Sequence, residues 1–285
     1  MKIRLATISD VESCGRITHE AFTELARRHG FPSDFPTLEY AVCSVNHQIS
    51  HPSVFGIVAM IDSEVVGLGF LYERDPIRAV GGLAVSPRYE DQGIGYHLMK
   101  TLLKRSAGSL GIRLLTDTFN AKSISLYTSL GFEAKETCVV VVGRPKSKPP
   151  SRFQVRSLLA NDLQNCEDLC KRVHGFERTN ELREAIQFLS PLVAVQDGRI
   201  CAYTTTMLRW HRAHGVAETE EDMEALILGA AATTADSLSF LLPMRQTRLF
   251  QFCLEEGLRI IKPMTLMSLG TYQEPRGCFF PSALY

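Results

Sequence analysis

The chain is 285 residues long, 45% hydrophobic and 22% charged, with 31 acidic residues balanced by 31 basic ones. That length suits one large or two ordinary domains of roughly 100–200 residues each, and the even charge argues against a polyanion-binding surface or an acidic tail. No apolar run approaches the roughly 20 residues of a membrane span, so neither nucleic acid nor a membrane is expected as a partner.

In chain order, residues 2–6 read as a strand, and Ser9-Asp10-Val11-Glu12 reads as a capping box opening a helix towards Arg28. Residues 38–49 carry a second helical pattern. Residues 54–61 and 65–72 are strands joined by Asp62-Ser63-Glu64, a hairpin signal. Residues 78–85 form the next strand, followed by Gln92-Gly93-Ile94-Gly95 and a helix from Tyr96 to Leu103. Residues 114–119 are a strand, residues 120–130 a short amphipathic helix stopped by Gly131, and residues 133–143 a last strand. Tyr127 is expected on the polar edge of that short helix.

Residues 145–152, with Pro145, Pro149 and Pro150 among lysines, read as an extended linker. It separates a first domain, 1–144, from a second, 153–285. After it the pattern restarts: a strand at 153–158, a helix capped by Asn161-Asp162 and running towards Val173, a helix at 180–189, and a hairpin of 192–195 with 200–207 around Asp197-Gly198. Asp162 follows Asp10 by 152 residues, and Asp197 follows Asp62 by 135, so the second copy has a shorter helical part. The acidic run 218–224 reads as the first turns of a helix. Leu249-Phe250-Gln251-Phe252 ahead of Gly257-Leu258 echoes the short helix ahead of Gly131-Phe132. The whole is read as an α/β (α+β) chain of two tandem copies, each a mixed, mostly antiparallel sheet flanked by helices.

The eight cysteines contain no Cys-x-x-Cys pair and read as small apolar core residues. The amino terminus runs straight into a strand pattern without a secretory apolar segment. Both point to a reduced, cytoplasmic protein. His211 and His214 lack companions at metal-ligand spacing, and no metal is expected.

Gly93 and Gly95 at the mouth of a helix let backbone N–H groups approach a phosphate, with the helix dipole adding favourable charge. A tyrosine-bearing helix follows 25 residues after Gly95, beginning at Asn120. A phosphate cradle followed by such a helix is what acyl transfer from a phosphorylated thioester carrier needs.

These two segments resemble the pyrophosphate loop and following helix of the GNAT superfamily of N-acetyltransferases, and the order of elements extends the resemblance over roughly residues 1–144. The family's loop begins with Arg or Gln, whereas here Glu90 stands first. Its carboxylate would repel a pyrophosphate if it pointed inward, so Arg88 or Gln92 is the expected substitute donor with Glu90 turned to solvent.

The resemblance implies acetyl-CoA as co-substrate, cradled by Asp91, Gln92, Gly93, Ile94, Gly95 and Tyr96. Backbone groups of Leu83, Ala84 and Val85 would pair with the pantetheine arm, and the Val85 N–H would polarise the thioester carbonyl. Tyr127 would act as general acid towards the departing thiolate. Asn120 is an N-cap, a contact to the coenzyme, or both, and Ser123 is a further coenzyme contact. The general base is open between Glu73, Asp117, a water chain and the terminal carboxylate of Tyr285. The acceptor would be a small-molecule or peptide amine, and the protein a monomer or homodimer. The second copy has no Gly-x-Gly, and Phe250 or Phe252 stands roughly where Tyr127 stands. It is expected to be degenerate and to shape a substrate groove or buttress the first. A non-catalytic acyl-CoA sensor is the alternative function, supported by Glu90, and a scaffold without coenzyme binding is the third.

Overall fold

Arg4 ties the first strand to the first helix. In strand β1 (Lys2–Leu5) its guanidinium donates twice to Asp10, both at 2.7 Å, and Asp10 Oδ2 accepts from Thr7 N at 2.8 Å and Thr7 Oγ1 at 2.9 Å. The start of the helix is therefore organised by Thr7 and Asp10 rather than by the box expected at Ser9 to Glu12. A short 3-10 turn at Ile8–Asp10 precedes the helix and moves the cap upstream.

The computed structural model describes residues 1–283, and they form two compact units. The first unit is Met1–Leu114 with Phe119–Glu133; the second is Leu115–Thr118 with the chain from Ala134 onward.

The first unit holds β1, α1 (Val11–His29), α2 (Leu38–Ser50), β2 (Val54–Ile61), β3 (Glu64–Tyr72), β4 (Ile77–Val85), α3 (Ile94–Arg105), the first part of β5 (Gly111–Asp117) and α4 (Ala121–Ser129). Strands β1 to β4 are sequentially antiparallel, and β5 lies parallel to β4. Cys14 and Ile17 of α1 and Val45 of α2 pack on Val58, Leu68, Phe70 and Ala84. Because side chains alternate along a strand, Gly67 and Gly69 face the opposite side of β3. There Leu98 and Leu102 of α3 occupy the space that side chains would need.

Helices α1 and α2 touch at Gly15, where an added Cβ would stand 2.5 Å from Val42 Cγ2 and 2.8 Å from its Cα. Gly15→Ala is expected to lower stability by about 1–3 kcal/mol through overpacking, measured as a lower urea midpoint with an unchanged slope.

The second unit holds the end of β5, β6 (Glu133–Gly143), β7 (Phe153–Ser157), α5 (Leu163–His174), α6 (Thr179–Phe188), β8 (Leu192–Gln196), β9 (Arg199–Thr204), β10 (Gly215–Ala217), α7 (Glu220–Thr233), β11 (Leu238–Pro243), α8 (Thr247–Glu255), β12 (Arg259–Gly270) and β13 (Cys278–Phe280). Two sheets run through it. One follows the order β5 end, β12, β6, β11; the other follows β13, β10, β9, β8, β7. Helix α7 is buried almost all round, with Met223, Leu226, Ile227 and Ala230 in a core shared with Val139, Phe240 and Leu249. A helix apolar on every side belongs inside a domain.

Strand β6, placed by its sequence at the end of the first domain, packs in the second unit. Residues Cys138 to Gly143 pair antiparallel with Pro243 to Leu238 of β11. Its run of valines specifies a buried strand but not which sheet receives it.

The repeat is visible in both the order of elements and their chemistry. Arg156 holds Asp162 with bonds of 2.6 and 2.8 Å, and Leu159 N donates to the same carboxylate at 2.8 Å, as in the first copy. Helices α5 and α6 have 12 and 10 residues against 19 and 13 in α1 and α2, which is the expected shortening. From α7 onward the offset is constant: α3 and α7, α4 and α8, and β6 and β12 each begin 126 residues apart. This register corrects one expectation. Cys253, rather than Phe250 or Phe252, stands at the place of Tyr127, and Gln246 stands at that of Asn120.

Candidate active site

A glycine pair shapes the strand that enters the loop. Strand β4 pairs with β3 through Gly67↔Val85, Leu68↔Ala84 and Gly69↔Leu83, then shifts register before Leu71↔Val80, so Gly81 and Gly82 form a bulge. Bulges bend a strand and raise its twist. On its other edge β4 pairs with β5 only at Ile77↔Gly111, Arg78↔Ile112 and Ala79↔Arg113. Beyond Ala79 the edge of β4 is left to accept an added strand. Ser86 N donates to Val66 O on β3 at 2.9 Å. Since successive N–H groups point to opposite edges of a strand, the Val85 N–H points to the open edge. Leu83, Ala84 and Val85 all lie on this stretch.

The loop closes on α3 through left-handed backbone, with φ of 62° at Asp91 and 75° at Gly93, the N-cap. Gly93 can hold that conformation at no steric cost, and it leaves the first N–H groups of α3 without helical partners, the geometry that binds anions. Gln92, Ile94 and Gly95 belong to the same turn. An added Cβ on Gly95 would meet Leu126 Cδ2 at 3.5 Å and Val85 Cγ2 at 3.9 Å, so the loop, the strand end and α4 converge there. Tyr96 is 38% exposed at the start of α3, with the Lys100 ammonium 5.3 Å from its ring centroid.

Glu90 is paired with cations. Lys122 Nζ lies 3.2 Å from Glu90 and 2.8 Å from Asp91, and Arg28 lies 3.8 Å from Glu90. Arg88, one of the two expected substitute donors, is paired with Glu64 at 2.7 Å. Lys122 and Arg28 escaped the sequence reading, since no local pattern joins Glu90 and Asp91 to residues more than thirty positions away.

Helix α4 carries Tyr127. Asn120 Oδ1 accepts from Ser123 N at 3.1 Å, which makes it the N-cap. Tyr127 is buried, 7% exposed, rather than on a polar edge; its ring meets Phe132 edge-on at 6.1 Å. Burial pushes its hydroxyl up to about 12, against a smaller downward pull from a hydrogen bond with Ser123. The phenol therefore stays protonated across neutral pH. Just ahead of the helix Phe119 stacks on Phe31 at 4.4 Å and lies 5.0 Å from His29, an aromatic cluster drawn from the end of α1 and the segment after it.

The two candidate carboxylates are occupied elsewhere. Glu73 pairs with Arg78 at 2.8 Å and Arg105 at 3.1 Å. It follows Tyr72, which faces Ala79, and so lies at the far end of β4 from Val85, roughly 20 Å away at about 3.3 Å per residue. Asp117 belongs to the second unit, where Lys262 Nζ lies 2.7 Å from it and both side chains are buried. The carboxylate of Tyr285 lies outside the described residues.

Residues 18–132 match the sequence profile of the acetyltransferase (GNAT) family. Among solved structures, one from Pyrococcus horikoshii, provisionally called an acetyltransferase, aligns over 97% of this chain and 93% of its own, with a TM-score of 0.73 and 18% identity. The GCN5-related N-acetyltransferase from Sphaerobacter thermophilus aligns over 96% of both chains with a TM-score of 0.59 and 13% identity. A tandem GNAT protein from the clavulanic acid biosynthesis pathway aligns over 95% of this chain and 99% of its own, with a TM-score of 0.58 and 12% identity. At such identities the likeness is one of fold, the two-sheet, helix-flanked α/β fold of tandem GNAT proteins. No curated protein sequence matches the chain. Through its segment 18–132 the chain is similar to the acetyltransferase (GNAT) family.

Proposed function

We propose that the first unit moves an acetyl group from acetyl-CoA to an amine by direct attack. The observation that carries this reading is the convergence at Gly95, where the open edge of β4 ends, the loop turns and α4 begins its contact. The N–H groups from Asp91 to Tyr96 suit the pyrophosphate, and the β4 edge at Leu83 to Val85 suits the amide-bearing pantetheine arm. The amine nitrogen bonds to the thioester carbon, the C–S bond breaks, and the departing sulfur takes the Tyr127 proton. The Val85 N–H opposes the charge that develops on the carbonyl oxygen, an effect worth about 3 kcal/mol when well placed. The amine's own proton leaves through water, because Glu73 and Asp117 are held in ion pairs. Asn120 and Ser123 border the arm. A small-molecule or peptide amine is the acceptor, in a cytoplasmic protein that acts as monomer or homodimer. Among the described residues no helix is long and apolar enough to cross a membrane.

The test is release of free thiol from acetyl-CoA across a panel of amines. Turnover with at least one amine, above the amine-free rate, is the expected result. Binding without turnover on any amine would favour the sensor reading, which rests on Glu90 and Asp91 at the phosphate loop. Glu90→Gln frees Lys122 from one exposed carboxylate. Such surface pairs are worth up to about 1 kcal/mol, so coenzyme affinity is expected to rise about two- to fivefold by calorimetric titration.

A further inference from the structure

The second unit repeats the strand, helix, strand, helix order of the first site, but its slot is filled. Strand β13 pairs antiparallel with the whole of β10, through Gly215↔Phe280, Val216↔Phe279 and Ala217↔Cys278. Strand β10 precedes α7 as β4 precedes α3, so β13 lies on the edge that β4 leaves open. On its other side Phe280 stacks on Phe240 of β11 at 4.4 Å, which places the tail between the counterparts of β4 and β5.

Gln246, the counterpart of Asn120 at the start of α8, grips this strand as an amide partner. Its Nε2 donates to Phe279 O at 2.8 Å, and its Oε1 accepts from Phe279 N at 3.0 Å. The flanks are fixed as well: Arg276 N donates to Val173 O at 2.9 Å, Ala283 N to His211 O at 3.0 Å, and Arg178 to Ser282 Oγ at 3.2 Å. Cys278, Phe279, Phe280 and Ser282 are at most 2% exposed. At the phosphate end, Thr219 and Glu221 stand where Gly93 and Gly95 stand, and Glu218 is tied to Arg172 and Arg199.

We propose that the chain's own tail, residues 277–283, occupies the thioester-arm slot of the second unit, so that each chain takes a single acyl-CoA, in its first unit. The tail supplies what the arm would: an extended chain with amides for the strand edge and for the side chain at the mouth of the helix. A threonine and a glutamate replace the two glycines where the pyrophosphate would sit, with Glu220 and Asp222 beside them in the first turn of α7, so the slot suits a polypeptide and rejects a polyanion. This inference rests on the proposed acyl-CoA site of the first unit for its comparison, but its test separates the two.

Two measurements on the full chain decide it. The first is hydrogen exchange over residues 275–283 in wild type and Gln246→Ala. Gln246 makes no cap bond to α8, so the helix does not depend on it. Exchange at the Phe279 amide is expected to rise about tenfold or more in the variant, with β2 in the first unit unchanged. No change there would overturn the docking role of Gln246. The second is titration with coenzyme A of wild type and Gly93→Val. One equivalent for wild type and none for the variant is expected. An equivalent surviving in the variant, with faster exchange at 278–280 on addition of coenzyme A, would show that the second slot accepts the coenzyme and would overturn the proposal. Failure of wild type to bind any coenzyme would instead refute the reading of the first unit, leaving the exchange result to judge the tail.

Discussion

Tyr127→Phe is expected to lower kcat by about 10²- to 10³-fold while leaving acetyl-CoA affinity within about twofold. Phenylalanine keeps the ring against Phe132 and removes only the proton that the departing thiolate would take, and a positioned acid contributes roughly 10²–10⁴ to rate. Steady-state kinetics beside calorimetric titration makes the separation. A variant with undiminished kcat would remove Tyr127 from the chemistry. The pH dependence follows from burial. The folded-state value near 12 lies above the unfolded value near 10, so both states are protonated below pH 10. Wild type should show no basic-limb loss of rate from this group between pH 7 and 10. Above pH 10 the unfolded chain ionises first, so the stability contributed by neutral Tyr127 falls as pH rises towards 12. The phenylalanine variant should lack that dependence.

Breaking the pair between Lys262 and Asp117 is expected to be the most destabilising change of charge in the second unit. Both side chains are buried with the ammonium 2.7 Å from the carboxylate, and the ammonium also lies 5.2 Å from the centroid of the Trp210 ring. Breaking a buried ion pair by removing one partner costs about 3–5 kcal/mol. Lys262→Met and Asp117→Leu should each lower the unfolding free energy by that order in urea. The double variant should recover much of the loss, because the pair is replaced as a unit by apolar side chains. Single variants within about 0.5 kcal/mol of wild type would contradict this account of the pair.

The order of elements was legible because each carries its own period. The Asp62-Ser63 and Asp197-Gly198 turns, the alternating strands beside them and the Gly131 helix stop all depend on nearby residues. The repeat was legible for the same reason, since Asp10 and Asp162 perform the same local task. What was hidden is the long-range pairing. Nothing in the valines of β6 names β11 as its partner, and nothing around Lys262 announces Asp117. Tyr127 looked half-exposed because a short helix shows one polar face, yet its neighbour Phe132 belongs to the segment after the helix. The place of Cys253 emerged only when Gly131 and Gly257 fixed the register, with φ of 91° and 89°. At the candidate site the glycines and the tyrosine helix were readable. The cations that hold Glu90 and Asp91 were not, because Arg28 and Lys122 reach the loop from separate helices.

The most direct test of the account is calorimetric titration of acetyl-CoA into the intact protein and into Gly93→Val, with circular dichroism to confirm that both are folded. A valine at a backbone φ of 75° is strained and disrupts the turn that presents the N–H groups. The account predicts one equivalent bound by wild type and a loss of at least about 30-fold in affinity for the folded variant. Wild type that binds no acetyl-CoA, or a folded variant that binds as well as wild type, would contradict it.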